Sequence, residues 1–380
     1  MTRRRLLSVG HSYVVALNRR LAHEMARAGS DKWDVTAAAP EFLHGDLRPI
    51  YLEPIEGEAC ALERVNAYAS RKIHWMFYGR RLRSLLAQPW DFVHCWEEPY
   101  ILSGAQIARW IPEGVPWAFW TAQNLAKKYP PPFSWMERYC VRRCTGWMAG
   151  GHTVEQTLLA RGYDSKPRRI LALGVDTDVF SPAPSRKRVE LGWGDDGPPV
   201  VGYLGRFVAD KGVQLFMDAL NEIVTPWRAL LVGGGPMEGD VRKWSERYPE
   251  RVKIVTGVIH DKVPEYLNAM DILCAPSQTM THWREQFGRM LVEAFACGVP
   301  VIGSDSGEIP YVIADAGVVA GEKDQGAWVR AISELLESPA RRRDLAERGR
   351  ARVVANYAWP IIARRHLEFF EELIESRSSR

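Results

Sequence analysis

The feature that constrains this chain most is a rhythm. Short apolar runs of strand length alternate with helical patterns, stop at a polar break, and then start again. In the first half the runs are LLSVG (6–10), WDVTAAAP (33–40), DFVHCW (91–96), PWAFWT (116–121) and GWMAGG (146–151). Between the first two, Leu17, Leu21 and Met25 recur at every fourth residue and Gly29 follows as a stop, the pattern of one buried helix face. Strands that alternate with helices pair in parallel, because a parallel neighbour is reached only by crossing over one face of the sheet. The break is SPAPSRKRVELGWGDDGPPV (181–200), rich in Pro, Gly, Ser and charge. Beyond it the rhythm resumes with VVGYLG (200–205), RALLVGG (228–234), VKIVTG (252–257), DILCAP (271–276) and VPVIGS (299–304). At 380 residues the chain is long enough for two cores. The expectation is an α/β protein of two Rossmann-like domains facing across a cleft, 1–183 and 184–359. A final helix, 360–380, opened by Trp359-Pro360, would pack back on the first domain. Ligands of such sheets bind beyond the carboxyl ends of the strands, so chemistry is sought at those ends.

Several function classes fall away first. The six cysteines form no CxxC pair, which suits reduced structural thiols in a cytosolic protein. The opening MTRRRLLSVGHSYVVALNRR has a basic start and an apolar stretch. His11 interrupts that stretch and Arg19-Arg20 follow, so a strand feeding a helix is expected rather than a leader. No apolar run reaches the length of a membrane span. Charge is uneven: through residue 185 there are 24 Lys and Arg against 18 Asp and Glu, a surplus of +6, while the remainder has 26 against 28. Part of that surplus lies in SRKIHWMFYGRRLRSLL (70–86), where five cations interleave with Trp75, Phe77 and Tyr78. An interfacial helix on an anionic membrane surface has this look; a surface helix with its aromatics turned inward is the alternative. No nucleic-acid recognition module accompanies the basic stretch, so nucleic acid is not expected as a partner.

The strand ends of the second half carry the chemistry. In YLGRFVADKG (203–212) a strand stops near Gly205, and Arg206 and Lys211 precede a helix. Two cations and free helix amides at one junction suit a diphosphate; a capped helix with solvated charges is the other reading. LLVGGGPMEGD (230–240) runs from a strand into three consecutive glycines but lacks the GxGxxG spacing, and no acid at a second strand end completes it, which disfavours a nicotinamide enzyme. WREQFGRMLVEAFACGVPVIGSDSGEIPYVI (283–313) sets Glu285 and Glu293 on either side of Phe287-Gly288. The amides there open a helix and favour an anion. Carboxylates so spaced cannot flank one scissile bond, but each can accept hydroxyls from a different part of one elongated ligand. A sugar nucleotide has that shape. In the first half, HCWEEPY (94–100) brings His94, Glu97 and Glu98 to an expected strand end facing the cleft; ordinary polar loop residues are the alternative to a binding role.

EQFGRMLVEAFACGVPVI resembles the EX7E motif of the retaining GT-B glycosyltransferases, and of glycosyltransferase family 4 in particular. GRFVADKG resembles that family's GR(L/F)xxxKG loop and GVDTDVFSP (174–182) its interdomain element, and the likeness runs over nearly the whole chain. It implies the GT-B architecture and transfer with retention from a nucleoside-diphosphate sugar to a glycan or lipid-linked acceptor. The product would be a cell-surface polysaccharide, lipopolysaccharide or glycolipid. By the same resemblance Arg206 and Lys211 bind the diphosphate and Glu285 holds sugar hydroxyls near the anomeric centre. Glu293 binds the ribose, the amides of Phe287 and Gly288 face sugar or phosphate, and Gly10 and Gly205 let backbone approach the donor. Val258 and Ile259 fall in the base-binding loop. No cofactor and no metal are expected, since the two cations stand in for one. The setting implied is cytoplasmic, with a peripheral seat on the inner face of the membrane through 70–86. The sequence departs from the family at TAQN (121–124), where Gln123 stands for the usual histidine of an element near the acceptor, and at Glu308, an extra carboxylate that would either adjoin the sugar or face solvent. His94, Glu98, Gln123 and Asn124 are thus the candidates on the acceptor side. A non-catalytic sugar-nucleotide-binding partner and a GT-B sugar-nucleotide epimerase are the alternatives.

Overall fold

The structure is a computed structural model, and it describes residues 3–45, 49–194 and 197–378. The chain divides into two compact units, Met1–Gly174 with Trp359–Arg380, and Val175–Ala358.

The first unit is built on a seven-stranded sheet. From edge to edge its strands are Arg168–Ile170, Gly146–Ala149, Trp117–Thr121, Phe92–Cys95, Arg4–Val9, Trp33–Pro40 and Ala61–Val65, every neighbouring pair parallel. Such a sheet is covered on both faces, so its strands read as continuous apolar runs. Leu7, Val93, Phe119 and Ala149 join the core on one side, and Leu6, Phe92, Ala118 and Met148 the core on the other. The second of these cores is closed by the last helix, Trp359–Ser378. That helix turns Ile362, Phe370 and Leu373 inward, and Phe370 stacks on Phe92 at 4.4 Å. An apolar stripe at helical spacing meeting an apolar sheet face is why the chain returns here. The last two residues of the expected 360–380 helix lie outside the described residues.

The second unit has six parallel strands in the order Val252–Val255, Arg228–Gly234, Val200–Arg206, Ile272–Ala275, Val301–Ser304 and Val318–Ala320. The chain leaves the first unit at Gly174, where an added Cβ would lie 2.3 Å from the Trp359 ring. The boundary therefore differs from the expected residue 183. Residues 175–183 belong to the second unit because Arg350 donates to the carbonyls of Thr177 and Phe180, and Asn268 donates to that of Ser181. The polar break at 181–200 packs there too: Arg186–Glu190 is helical and Arg188 pairs with Asp271 at 2.9 Å. Residues 195–196 of that break lie outside the described residues.

Residues 70–86 do not form one helix. A single turn, Ile73–Trp75, and a two-residue strand, Phe77–Tyr78, precede the helix Arg80–Leu86. Tyr78 is pulled into the core, its hydroxyl donating to Glu97, while Leu82, Leu85 and Leu86 bury the helix face. Among the described residues no helix is long and apolar enough to cross a membrane. All six cysteines are buried and free.

Candidate functional site

In each sheet the strand order reverses once, and a crevice opens where the two diverging connections leave the carboxyl ends. In the second unit the reversal lies between Val200–Arg206 and Ile272–Ala275. The connection from the first of these strands delivers Lys211, at the end of the turn Ala209–Lys211. The connection from the other delivers Ser277 and Glu285. The three meet: Lys211 Nζ lies 2.6 Å from Glu285 Oε2, and Ser277 Oγ donates to the same oxygen at 2.9 Å. Side chains of Lys211 and Glu285 are 17% and 8% exposed, so the pair is shielded but reachable. The Lys211 ammonium also stands 4.6 Å above the Trp283 ring, a cation–π contact that fixes it further. Glu285 is braced through its backbone, where Glu308 N donates to Glu285 O at 3.1 Å and a Cβ added at Gly307, at φ +57°, would lie 2.0 Å from that oxygen.

The other residues named from the sequence fall around this pair with differing closeness. Gly205 is inside the strand and registers with Gly233. Arg206 is the last residue of that strand, its side chain 67% exposed and 3.9 Å from Asp210; it is not drawn onto Lys211. Phe287 is buried and packs on Tyr357, and Gly288, at φ +78°, caps the helix Arg289–Ala296. Glu293 is buried on that helix and bonds His260 Nε2 at 2.8 Å. Ile259 is 65% exposed and Val258 is half-buried, directly before the turn His260–Lys262. Glu308 is buried at 2% exposure, so the solvent-facing alternative for it is overturned. It caps Ile309–Ile313 and its charge acts on Arg284. His260, Ser277 and Trp283 were not singled out from the sequence.

The first unit carries a second such pair at its own reversal, between Arg4–Val9 and Phe92–Cys95. His11 Nδ1 meets Glu97 Oε2 at 2.5 Å, and His11 N donates to Glu97 Oε1 at 2.6 Å. Tyr78 and Ser103 hydroxyls complete the shell of Glu97, which is 1% exposed. Burial alone pushes the His11 imidazolium down, but the charge and hydrogen bond of Glu97, with Glu98 behind it, outweigh this and raise its pKa. His11 Nε2 bonds no protein atom among the described residues, so the ring is fixed at one nitrogen and presented at the other. Neither His11 nor this pairing was anticipated. The one available signal was that His11 directly follows Gly10 at a strand end. Gly10 itself is extended, and a Cβ there would press on Trp96 at 3.0 Å.

His94 requires a correction. It lies inside the strand Phe92–Cys95, fully buried, with Nδ1 on Ser8 Oγ at 2.8 Å and its ring against His366. Burial holds the His94 imidazole well below its ordinary range and lowers that of His366 to about 4, so both are neutral core residues. Parallel strands buried on both faces give no alternation to tell an end from a middle. Glu98, Gln123 and Asn124 do gather beyond the Trp117–Thr121 strand. Thr121 Oγ1 and Ala122 N donate to Glu98, Gln123 Oε1 accepts from Leu125 N at 3.0 Å, and Asn124 is buried with its carbonyl on Thr157. Burial pushes the Glu98 carboxyl up to about 7, against these hydrogen bonds. A carboxyl raised in the fold favours folding below its unfolded value near 4.5, and that contribution is lost as pH rises through 7. Glu98→Gln, which cannot ionise, is therefore expected to gain on wild type by about 3 kcal/mol between acid and pH 8. Urea denaturation at the two pH values measures it; a constant difference would contradict the burial argument.

Comparison with known proteins adds to this geometry. Residues 188–352 match the family model Glycosyl transferases group 1. This group 1 region contains Arg206, Lys211, Ser277, Glu285, Glu293 and Glu308. A GDP-mannose-dependent monoacylated alpha-(1-6)-phosphatidylinositol monomannoside mannosyltransferase of Corynebacterium glutamicum is 32% identical over 205 residues, 51% of this chain and 54% of that protein. The chain thus spans about half the length of that relative. The lipopolysaccharide core biosynthesis mannosyltransferase LpsB of Rhizobium meliloti is 25% identical over 75% of this chain and 84% of its own. Among solved structures, sucrose-phosphate synthase of Thermosynechococcus elongatus superposes with a TM-score of 0.73 at 20% identity, over 98% of this chain and all of that one. Anabaena HepE in complex with UDP gives 0.74 at 17%, over 97% of this chain and 100% of that one. The fold is that of the GT-B glycosyltransferases.

Proposed function

We propose that the protein is a retaining glycosyltransferase. It moves a sugar from a nucleoside-diphosphate sugar to a glycan or lipid-linked acceptor in the synthesis of cell-surface polysaccharide, lipopolysaccharide or glycolipid. The single observation that carries this is the Lys211–Glu285–Ser277 cluster at the reversal of the second sheet, inside the group 1 region. Cleaving a glycosyl–phosphate bond develops negative charge on the leaving diphosphate, and a preplaced cation there stabilises the transition state more than the ground state. Lys211 is that cation, with the exposed Arg206 closing on the diphosphate. Glu285, whose side chain accepts hydrogen bonds, orients sugar hydroxyls. Glu293, aligned by His260, takes the ribose hydroxyls, and the loop at Val258-Ile259 lies against the base. The first unit binds the acceptor, with His11 Nε2 placed to hydrogen-bond a substrate oxygen. No metal enters this scheme, because Lys211 and Arg206 neutralise the diphosphate. The protein works at the cytoplasmic face of the membrane.

The two mannosyltransferase relatives make GDP-mannose the first donor to try. Thermal unfolding with a panel of nucleoside diphosphates and their sugars tests binding, since a ligand of the native state raises the midpoint by about 2.7 kcal/mol in stability at a hundredfold excess over Kd. A shift with at least one nucleotide is expected; none across the panel overturns the donor site. Binding without transfer to any acceptor extract would favour a non-catalytic partner, and conversion of the sugar nucleotide with no acceptor would favour an epimerase.

A further inference from the structure

A cavity of about 790 Å³ opens in the first unit. It gathers two stretches that the donor chemistry leaves without a task, the basic–aromatic segment 70–75 and the proline-rich segment 129–133. Arg71 and Lys72, consecutive in sequence, both line it and are exposed. Neither side chain makes a hydrogen bond or ion pair with any described residue, whereas Arg19, Arg161, Arg168 and Arg169 of the same unit are each paired to a glutamate. No carboxylate lines the cavity among the described residues. Two exposed cations that no described residue neutralises make a local positive potential that an anion would relieve.

The opposite requirement is met by the rings. Trp75 is 44% exposed and its ring lies 5.1 Å from Phe133. His74 sits edge-on to Phe133 at 5.7 Å, and Tyr129 stacks on Tyr100 at 4.3 Å, so the platform is rigid. An open aromatic face backed by other rings suits the C–H face of a sugar. On the far side Ser70 Oγ engages both the amide and Nδ1 of His44, which fixes that ring with Nε2 unbonded to described residues. The volume is that of an ordinary small-ligand site.

We propose that this cavity seats the acceptor, and that the acceptor is a phosphate-bearing saccharide. A sugar ring lies on Trp75, and Arg71 and Lys72 take the phosphate. A guanidinium fork beside an ammonium favours phosphate, which Arg engages through two parallel bonds and Lys as a point charge. The word acceptor rests on the glycosyltransferase reading; the binding does not. The phosphate is carried either by a free saccharide or by a glycophospholipid headgroup.

Calorimetric titration of the full chain with mannose 6-phosphate and with mannose tests the chemistry. Co-sedimentation with phosphatidylcholine vesicles, with and without phosphatidylinositol, tests the lipid-borne form. The sugar phosphate is expected to bind at least tenfold more tightly than mannose, or phosphatidylinositol vesicles to retain the protein where plain vesicles do not. The first result assigns a free saccharide phosphate and the second a lipid headgroup. Whichever holds, it should fall at least tenfold in Arg71→Glu/Lys72→Glu and in Trp75→Ala, and be unchanged in Lys211→Met/Glu285→Gln. Equal affinity for mannose and its phosphate with no vesicle retention, no binding in either arm, or binding indifferent to both cavity variants overturns the proposal. Cavity binding in a protein that transfers no sugar would overturn the glycosyltransferase reading and leave the cavity standing.

Discussion

Lys211→Ala is expected to slow sugar transfer by about 10²- to 10³-fold, the loss seen when one preplaced transition-state partner is removed. The ammonium is held at Glu285 and over Trp283 before any ligand arrives, so its orientation costs nothing at the moment of reaction. The same substitution leaves Glu285, 8% exposed, with its cation gone. Breaking one side of a buried pair costs about 3 kcal/mol, and less here because Lys211 retains some exposure. A lower midpoint of unfolding is thus expected alongside the lost rate, and the two must be separated. Lys211→Met/Glu285→Gln removes both charges, and is expected to recover most of the stability and none of the rate. Turnover near wild type in the folded double variant would remove the pair from the mechanism.

Gly212→Ala is the second large effect, and it acts through the backbone. Gly212 follows Lys211 with φ +69°, and a Cβ there would sit 1.8 Å from Pro276 O and 2.7 Å from Pro276 C. Both are main-chain atoms, so no side-chain rotation relieves the overlap. Pro276 is followed by Ser277, whose hydroxyl holds Glu285; pushing the two connections apart pulls Lys211 from its carboxylate. A loss of about 3–5 kcal/mol is expected, in the range of strain at an overdetermined backbone position, with transfer falling as far as in Lys211→Ala. Gly57 provides the control: it has φ +62° but nothing within 4 Å of an added Cβ. Gly57→Ala should cost only about 1 kcal/mol. Urea denaturation of both variants measures the contrast, and equal costs would show that conformation, not the close approach, sets the requirement.

The sheets were legible because buried parallel strands are uniform apolar runs of fixed length; WDVTAAAP and RALLVGG coincide with the strands Trp33–Pro40 and Arg228–Gly234. The residues of the candidate site were legible as types at strand ends, but not as partners. Lys211 and Glu285 were assigned to different parts of a ligand, and the fold bonds them to each other across 74 positions of sequence. His11 and Glu97, 86 positions apart, are joined only by the reversal of strand order, which no local pattern announces. His94 was misplaced for the converse reason, since a polar residue in an apolar run reads as an end when it is in fact a buried core group held by Ser8. In 70–86, cations and aromatics suggested one amphipathic helix, yet Tyr78 is claimed by Glu97 and breaks it.

The central claim is transfer with retention from a nucleoside-diphosphate sugar. Proton NMR of a reaction mixture containing GDP-mannose, or whichever donor raises the unfolding midpoint, reads it directly. The expected result is nucleoside diphosphate released in step with a new glycosidic bond whose anomeric configuration is that of the donor, lost in the folded Lys211→Met/Glu285→Gln variant. A product of inverted configuration, or a product formed equally by that variant, would contradict it.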